Sequence, residues 1–351
     1  MTETRDLLLD AAGRLFAARC DKATLDQAEG GAWPAGLWDA VARAGFPRAM
    51  LPEAQGGSGA APADAFAILH AAGRCGAPVP IAETMLAGVL LNDAGLPAPD
   101  GPLTIAPVRR RDRLVMERRG AGWHLRGAAA RVPWARDAAA LAVLAESGEG
   151  PMVARLDRGG CAITPGANLA GEPRDTIEAD AMLPADAVAP SGFGPDRLRA
   201  LGAAMRTAQI AGALARVLEM TVDHARLRVQ FGRPIGRFQA VQQNLAVLAG
   251  QAAAASAAAD MAADAAGRNF DPVAIGAAKS RAGEAAGQGA AIAHQVHGAI
   301  GFTAEYGLQR LTRRLWSWRD EFGNEAEWNL LVGRAAAEAG ADRLWATLAA
   351  I

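Results

Sequence analysis

Along residues 1–98 the apolar positions recur at three- and four-residue intervals. Leu7, Leu8, Ala11, Leu15 and Phe16 fall on one helical face. Pro34 precedes Trp38, Val41 and Ala42, and Gly45 follows them, so proline opens and glycine closes a second helix. Pro62 opens a helix carrying Phe66, Leu69 and Ala72, and Pro80 opens another carrying Met85, Val89 and Leu90. Between them Leu51-Pro52-Glu53-Ala54-Gln55-Gly56-Gly57-Ser58-Gly59 is built of turn formers. No strand precedes this glycine-rich run, so it reads as a structural turn rather than a nucleotide loop.

The period changes over residues 99–191. Leu103-Thr104-Ile105, Arg113-Leu114-Val115-Met116, Trp123-His124-Leu125, Leu141-Ala142-Val143-Leu144 and Ala162-Ile163-Thr164 are strand-length runs between Pro, Gly and Asp clusters. Helical spacing returns from residue 192. Pro195 to Arg228 is one long helix striped by Leu198, Leu201, Met205, Ala208, Ala211, Ala215, Leu218 and Val222. A second helix runs from about Phe238 towards Gly267. A third opens at Asp271-Pro272, an N-cap followed by proline, and reaches His297. Leu308–Trp318 and Ala326–Ala350 give two more. The expected architecture is mainly α with a central β-domain: residues 1–98 an N-terminal α-helical domain, 99–191 a middle β-domain, 192–351 a C-terminal helical bundle.

Composition narrows the function. Of 351 residues, 51% are hydrophobic and 21% charged, which is globular usage. A net charge of −1 without a basic block argues against nucleic acid. Cys20, Cys75 and Cys161 show neither metal nor disulfide spacing, as expected in a reducing, cytoplasmic setting. No signal-peptide order is seen. The Ala-rich stretch 252–266, broken by Asp260 and Asp264, does not read as a membrane span.

Two motifs carry chemistry. Arg228-Val229-Gln230-Phe231-Gly232-Arg233-Pro234-Ile235-Gly236-Arg237-Phe238-Gln239 puts a guanidinium fork and side-chain amides around a turn between helices, which suits a phosphate-bearing ligand. Gln295-Val296-His297-Gly298-Ala299-Ile300-Gly301-Phe302-Thr303-Ala304-Glu305 follows a long helix with a glycine-rich turn. Together they resemble the paired signatures of the acyl-CoA dehydrogenases, flavoproteins that desaturate acyl thioesters. Leu51–Gly59 and Gly122-Trp123-His124-Leu125-Arg126-Gly127 are similar to further family segments, so the resemblance spans essentially the whole chain. It implies an N-terminal helical domain, a middle β-barrel and a C-terminal four-helix bundle. It also implies FAD held by Arg228, Gln230 and Gln239, with Phe231 lying along the cofactor. Gln295, Gly298 and Ala299 would reach the FAD pyrophosphate of a neighbouring subunit, Ala299 standing where a second glycine is usual. His294 and His297 read as satisfied helix-end histidines.

The resemblance breaks at the catalytic base. Aligning Gly323 puts Phe322 where the family carries its glutamate. Glu321 is the nearest substitute, one residue out of register, with Asp320 and Glu325 further off. A solvated helix N-terminus also accounts for these acids. Asn324 falls where a flavin-binding threonine is common. The family's Thr-Glu-x-x-x-Gly-Ser-Asp loop is absent, and Arg131-Val132-Pro133-Trp134 stands at its Trp-Ile-Thr segment. There Trp134 either stacks on the flavin or packs in the core, and Pro133 offers no donor. Arg206, on the long helix, reads as a phosphate or pantetheine ligand or as a solvated helix arginine.

Three functions follow from the resemblance. One is an active FAD-dependent acyl-CoA dehydrogenase of fatty acid β-oxidation, passing electrons to an electron-transfer flavoprotein as a homodimer or homotetramer. Another is a non-catalytic partner subunit completing the FAD site of a heterotetramer. The third is a flavin oxidase acting on a non-thioester substrate.

Overall fold

The computed structural model describes residues 3–267 and 269–349. The elements are α1 (Glu3–Arg19), α2 (Lys22–Glu29), α3 (Ala35–Arg43), α4 (Pro62–Cys75) and α5 (Ile81–Asp93), then β1 (Leu103–Ala106), β2 (Arg113–Arg119), β3 (Gly122–Pro133), β4 (Ala140–Ser147), β5 (Gly150–Asp157), β6 (Cys161–Thr164), β7 (Arg174–Leu183) and β8 (Val188–Pro190). The C-terminal part holds α6 (Pro195–Leu227), β9 (Val229–Gln230), β10 (Arg233–Pro234), α7 (Gln239–Ala265), α8 (Pro272–His297), α9 (Leu308–Asp320), α10 (Glu325–Ala339) and α11 (Ala341–Ala349). By packing, the chain divides into two compact units. Among the described residues, the first gathers 3–17, 66–77, 203–267 and 269–349, the second 18–65 and 78–202.

The second unit is a mixed eight-stranded sheet of order β6-β7-β3-β2-β4-β5-β8, with β1 pairing parallel to β4. Trp123 and Leu125 alternate inward on β3 and meet Leu114, Met116, Leu141, Val143 and Ile177 in its core. α5 is buried on nearly every side, and Thr84 on it exchanges hydrogen bonds with the backbone of Leu103 on β1. The glycine-rich loop after Leu51 is a self-contained turn. Gly57 N–H donates to Pro52 O at 3.1 Å and Gly59 N–H to Leu51 O at 2.8 Å. Its amides answer its own carbonyls, as the structural-turn reading expects.

The first unit is an α-helical bundle. Ile210, Leu214 and Val217 of α6 pack with alanines of α7 and α8 and with Leu308, Leu311, Leu315 and Trp318 of α9. Asp271 caps α8 as its sequence predicts, accepting from Val273 N–H at 2.8 Å and Ala274 N–H at 3.1 Å. By length and composition alone α7 could cross a membrane. Its apolarity is mostly alanine, and Ala252, Ala255 and Ala259 lie in the bundle core. The last predicted helix is two, separated at Gly340, where φ is +75°. Residue 350 lies outside the described residues.

Backbone contact fixes one crossing in this unit. A Cβ on Gly212 of α6 would stand 1.9 Å from His70 O of α4, and one on Gly73 of α4 would stand 2.2 Å from Gln209 O. Neither neighbour can yield without moving a helix. Gly212→Ala is therefore expected to destabilise by about 3 kcal/mol. Gly13→Ala, in α1 with no atom within 4 Å of its added methyl, should instead stabilise by about 0.5–1 kcal/mol. Denaturant midpoints of the two variants check this, and equal shifts would contradict the crossing.

Candidate functional site

Arg228 follows α6 and leads into a β9–β10 hairpin whose register pairs Gln230 with Arg233 and Val229 with Pro234. The two loop residues, Phe231 and Gly232, have φ of +52° and +78°. Positive φ at both central positions is the type I′ geometry that matches strand twist. Phenylalanine at such a position is strained, and its ring is 92% exposed. Arg228 N–H donates to His224 O, and its own carbonyl accepts from Ile235 N–H, both at 2.8 Å. The backbone is thus fixed on both sides of the arginine. Gln239 opens α7 just beyond. Arg228, Gln230 and Gln239 are exposed, and no hydrogen bond or ion pair to a described residue occupies their side chains. A rigid turn carrying an unengaged guanidinium and two unengaged amides fits the diphosphate half of a dinucleotide.

At the end of α8, Gln295, Gly298 and Ala299 are also exposed, and Gly298 turns the chain with φ +64°. His297 supports this turn from inside. Its Nδ1 bonds Ala293 O at 2.7 Å and its Nε2 meets the Tyr306 hydroxyl at 3.1 Å. His294 is satisfied on one side only. Its Nε2 meets Thr312 Oγ1 at 2.9 Å, while Nδ1 is buried without a partner. The ring stacks near-parallel between Phe302, at 4.1 Å, and Trp316, at 5.7 Å. Burial lowers the pKa of both histidines, which keeps them neutral.

The turn between α9 and α10 departs from a solvated helix start. Glu321 is 10% exposed and receives Arg206 Nε at 2.8 Å, and Arg206 is itself 2% exposed. The expectation of a solvated Arg206 is corrected: α6 is buried all round at this level, so a charge there needs an internal partner. The guanidinium lies 5.7 Å from the Phe322 ring centroid and 6.0 Å from that of Trp318. Phe322 is buried with φ +58°, and its carbonyl accepts from Trp328 Nε1 at 3.2 Å. Asn324 is the N-cap of α10 and accepts from Glu327 N–H at 3.2 Å. Its amide nitrogen stays available to a ligand.

Lys279 of α8 pins the same turn, donating to Arg319 O at 2.6 Å and Gly323 O at 3.0 Å. Sequence reasoning passed over this residue, although a signal was present. It is one of two lysines among 36 cationic residues, and lysine, unlike arginine, is readily neutralised when buried.

In the sheet-bearing unit, Trp134 follows β3 at φ +55°, is 6% exposed, and sits edge-on to Trp33 at 6.1 Å. Of the two roles open to it, core packing describes its surroundings.

Comparison with known proteins agrees with these motifs. Residues 2–98 match the model of the acyl-CoA dehydrogenase N-terminal domain, and residues 200–326 that of the C-terminal domain. Acyl-CoA dehydrogenase IpdE2 of Mycobacterium tuberculosis is 28% identical over 89% of this chain and 91% of its own length. A chain of the ChsE4–ChsE5 complex from the same organism superposes with a TM-score of 0.87 at 27% identity, covering 97% of this chain and 99% of that one. A variant of the Tcur3481–Tcur3483 steroid ACAD gives 0.86 at 25% identity, covering 96% and 98%. The chain belongs to the acyl-CoA dehydrogenase family, whose members are FAD-dependent oxidoreductases.

Burial pushes the Lys279 pKa down to about 8 from an ordinary 10.5. Between those values the unfolded chain binds more protons here than the folded one, so the fold gains stability as pH rises through that window. Below about 8 both states are protonated and the slope vanishes. The difference in unfolding free energy between the parent and Lys279→Met should therefore be flat below about pH 8 and rise in the parent's favour towards about pH 10. Denaturant titrations across that range test it, and a flat difference throughout would contradict it.

Proposed function

We propose that this chain works as an FAD-dependent acyl-CoA dehydrogenase, converting an acyl-CoA thioester to the trans-2-enoyl-CoA. The observation that carries the reading is the rigid hairpin with Arg228, Gln230 and Gln239 unengaged on its surface, in a chain of this family. Arg228 would pair with the cofactor's diphosphate, and Gln230 and Gln239 would donate to it, with Phe231 alongside. Gln295, Gly298 and Ala299 would serve the FAD of a neighbouring subunit. When bound, FAD accepts the hydride leaving the substrate's β-carbon. The chain's own task is to take the α-proton, and Glu321 is the candidate carboxylate, with Asn324 donating to the cofactor. Electrons then pass to an electron-transfer flavoprotein. The similarity to a steroid ACAD supports a bulky, ring-bearing acyl group over a straight fatty chain. Action in the cytoplasm, as a homo- or heterotetramer, completes the proposal.

One observation favours a second reading, a partner subunit that completes the FAD site without doing the proton transfer. By the resemblance Phe322 stands where the family's glutamate is expected, and its buried ring lies beside an Arg206 guanidinium already paired with Glu321. The similarity to a chain of a two-component complex supports the same reading.

Flavin bleaching separates the two. Purified alone, the protein should be yellow and a CoA thioester should bleach it. Glu321→Gln, checked for an unchanged circular dichroism spectrum, should abolish bleaching. Bleaching that survives the substitution removes Glu321 as the base. A parent that never bleaches, or that turns yellow only beside a related chain, supports the partner role.

A further inference from the structure

A recess of about 270 Å³ lies entirely within the sheet-bearing unit, between α3, α5 and the segment entering β1. Trp38, Pro47, Leu51, Gly88, Ala98 and Leu103 are the buried apolar residues of its wall. Thr84 is the buried polar one, and Leu103 already answers it. Its Oγ1 donates to Leu103 O at 3.2 Å and accepts from Leu103 N–H at 3.0 Å. The depth of the recess is therefore apolar.

The charge sits among the more exposed lining residues, Arg43, Arg48 and Asp100. Arg48 is fixed as part of the wall. Its Nε donates to Gln55 O at 3.2 Å, its Nη2 to Ala98 O at 2.8 Å, and its Nη1 pairs with Asp100 at 2.6 Å. Arg43, the last residue of α3, is exposed and has no ion pair or side-chain hydrogen bond with a described residue. Two guanidiniums against one carboxylate leave one net positive charge at the mouth of an apolar recess. An apolar cavity of about 150 Å³ takes benzene, so about 270 Å³ has room for a ring carrying a short chain.

We propose that this recess binds a small monocarboxylate with an apolar body, the body against Trp38 and Leu51 and the carboxylate at Arg43. The unengaged guanidinium selects the anion, because its fork matches a carboxylate bidentately. A neutral ligand forfeits that contact, and a cation meets a net positive mouth. The apolar body costs no buried hydrogen bond, since the polar side chain at depth is already satisfied. No residue of the hairpin after α6 or of the α9–α10 turn lines the recess, so the proposal is independent of the flavin reading.

The test is calorimetric titration of the full chain with phenylbutyrate, phenylbutanol and phenylbutylamine. The parent should bind the acid with a Kd below about 1 mM, the alcohol at least about fivefold more weakly, and the amine more weakly still. Arg43→Gln should weaken the acid at least about fivefold and leave the alcohol within about twofold of the parent. Ala42→Trp sets an indole at the mouth from a second exposed position and should weaken acid and alcohol alike, by at least about tenfold. Both variants are checked for an unchanged circular dichroism spectrum. A parent that does not bind the acid, or binds it no tighter than the alcohol, overturns the proposal. So does acid binding that either substitution leaves unchanged. Displacement of phenylbutyrate by a CoA thioester also overturns it, because the recess would then belong to the substrate site.

Discussion

Arg206 and Glu321 meet at 2.8 Å inside the helical unit, and neither charge could stay there alone. Removing one partner of a buried pair costs about 3–5 kcal/mol, because it leaves an uncompensated ion. That constraint dictates the course of the α9–α10 turn. Glu321 must point inwards, so the next residue, Phe322, takes an unfavourable positive φ and buries its ring beside the guanidinium. Lys279 then secures the backbone on either side through Arg319 O and Gly323 O. The α9–α10 turn is thus built around a buried ion pair with an aromatic ring beside it.

The opposite holds at the hairpin after α6. There strain is spent on exposure: Phe231 is held at positive φ with its ring in solvent, and the adjoining guanidinium and amides are unengaged. The buried Arg206, Glu321 and Lys279 are answered from within, whereas these exposed groups are not. The contrast separates side chains committed to the fold from side chains left open at the surface. It also explains why cofactor binding and proton transfer are separable questions for this chain.

Much of this was legible in the sequence where the signal is local. Proline and glycine punctuation marked α3, α4 and α5, and Asp271-Pro272 marked α8, because caps act within a few residues. α2 escaped because none of its residues is buried, so it shows no apolar stripe. β7 escaped because Ile177 and Leu183 are its only bulky core residues in ten positions. The long-range pairs were out of reach. Arg206 and Glu321 lie 115 residues apart, and nothing in either neighbourhood announces the other. Lys279 was the exception, since its rarity among so many arginines was visible and its meaning was not.

The most direct test of the account is the flavin affinity of Arg228→Ala, measured in whichever assembly the parent retains flavin. The account predicts an affinity weakened by at least about tenfold, with the helical content and assembly unchanged, because a charge-assisted fork to a diphosphate is lost. A variant that holds FAD as tightly as the parent would contradict it, since the hairpin would then have no ligand to explain its shape.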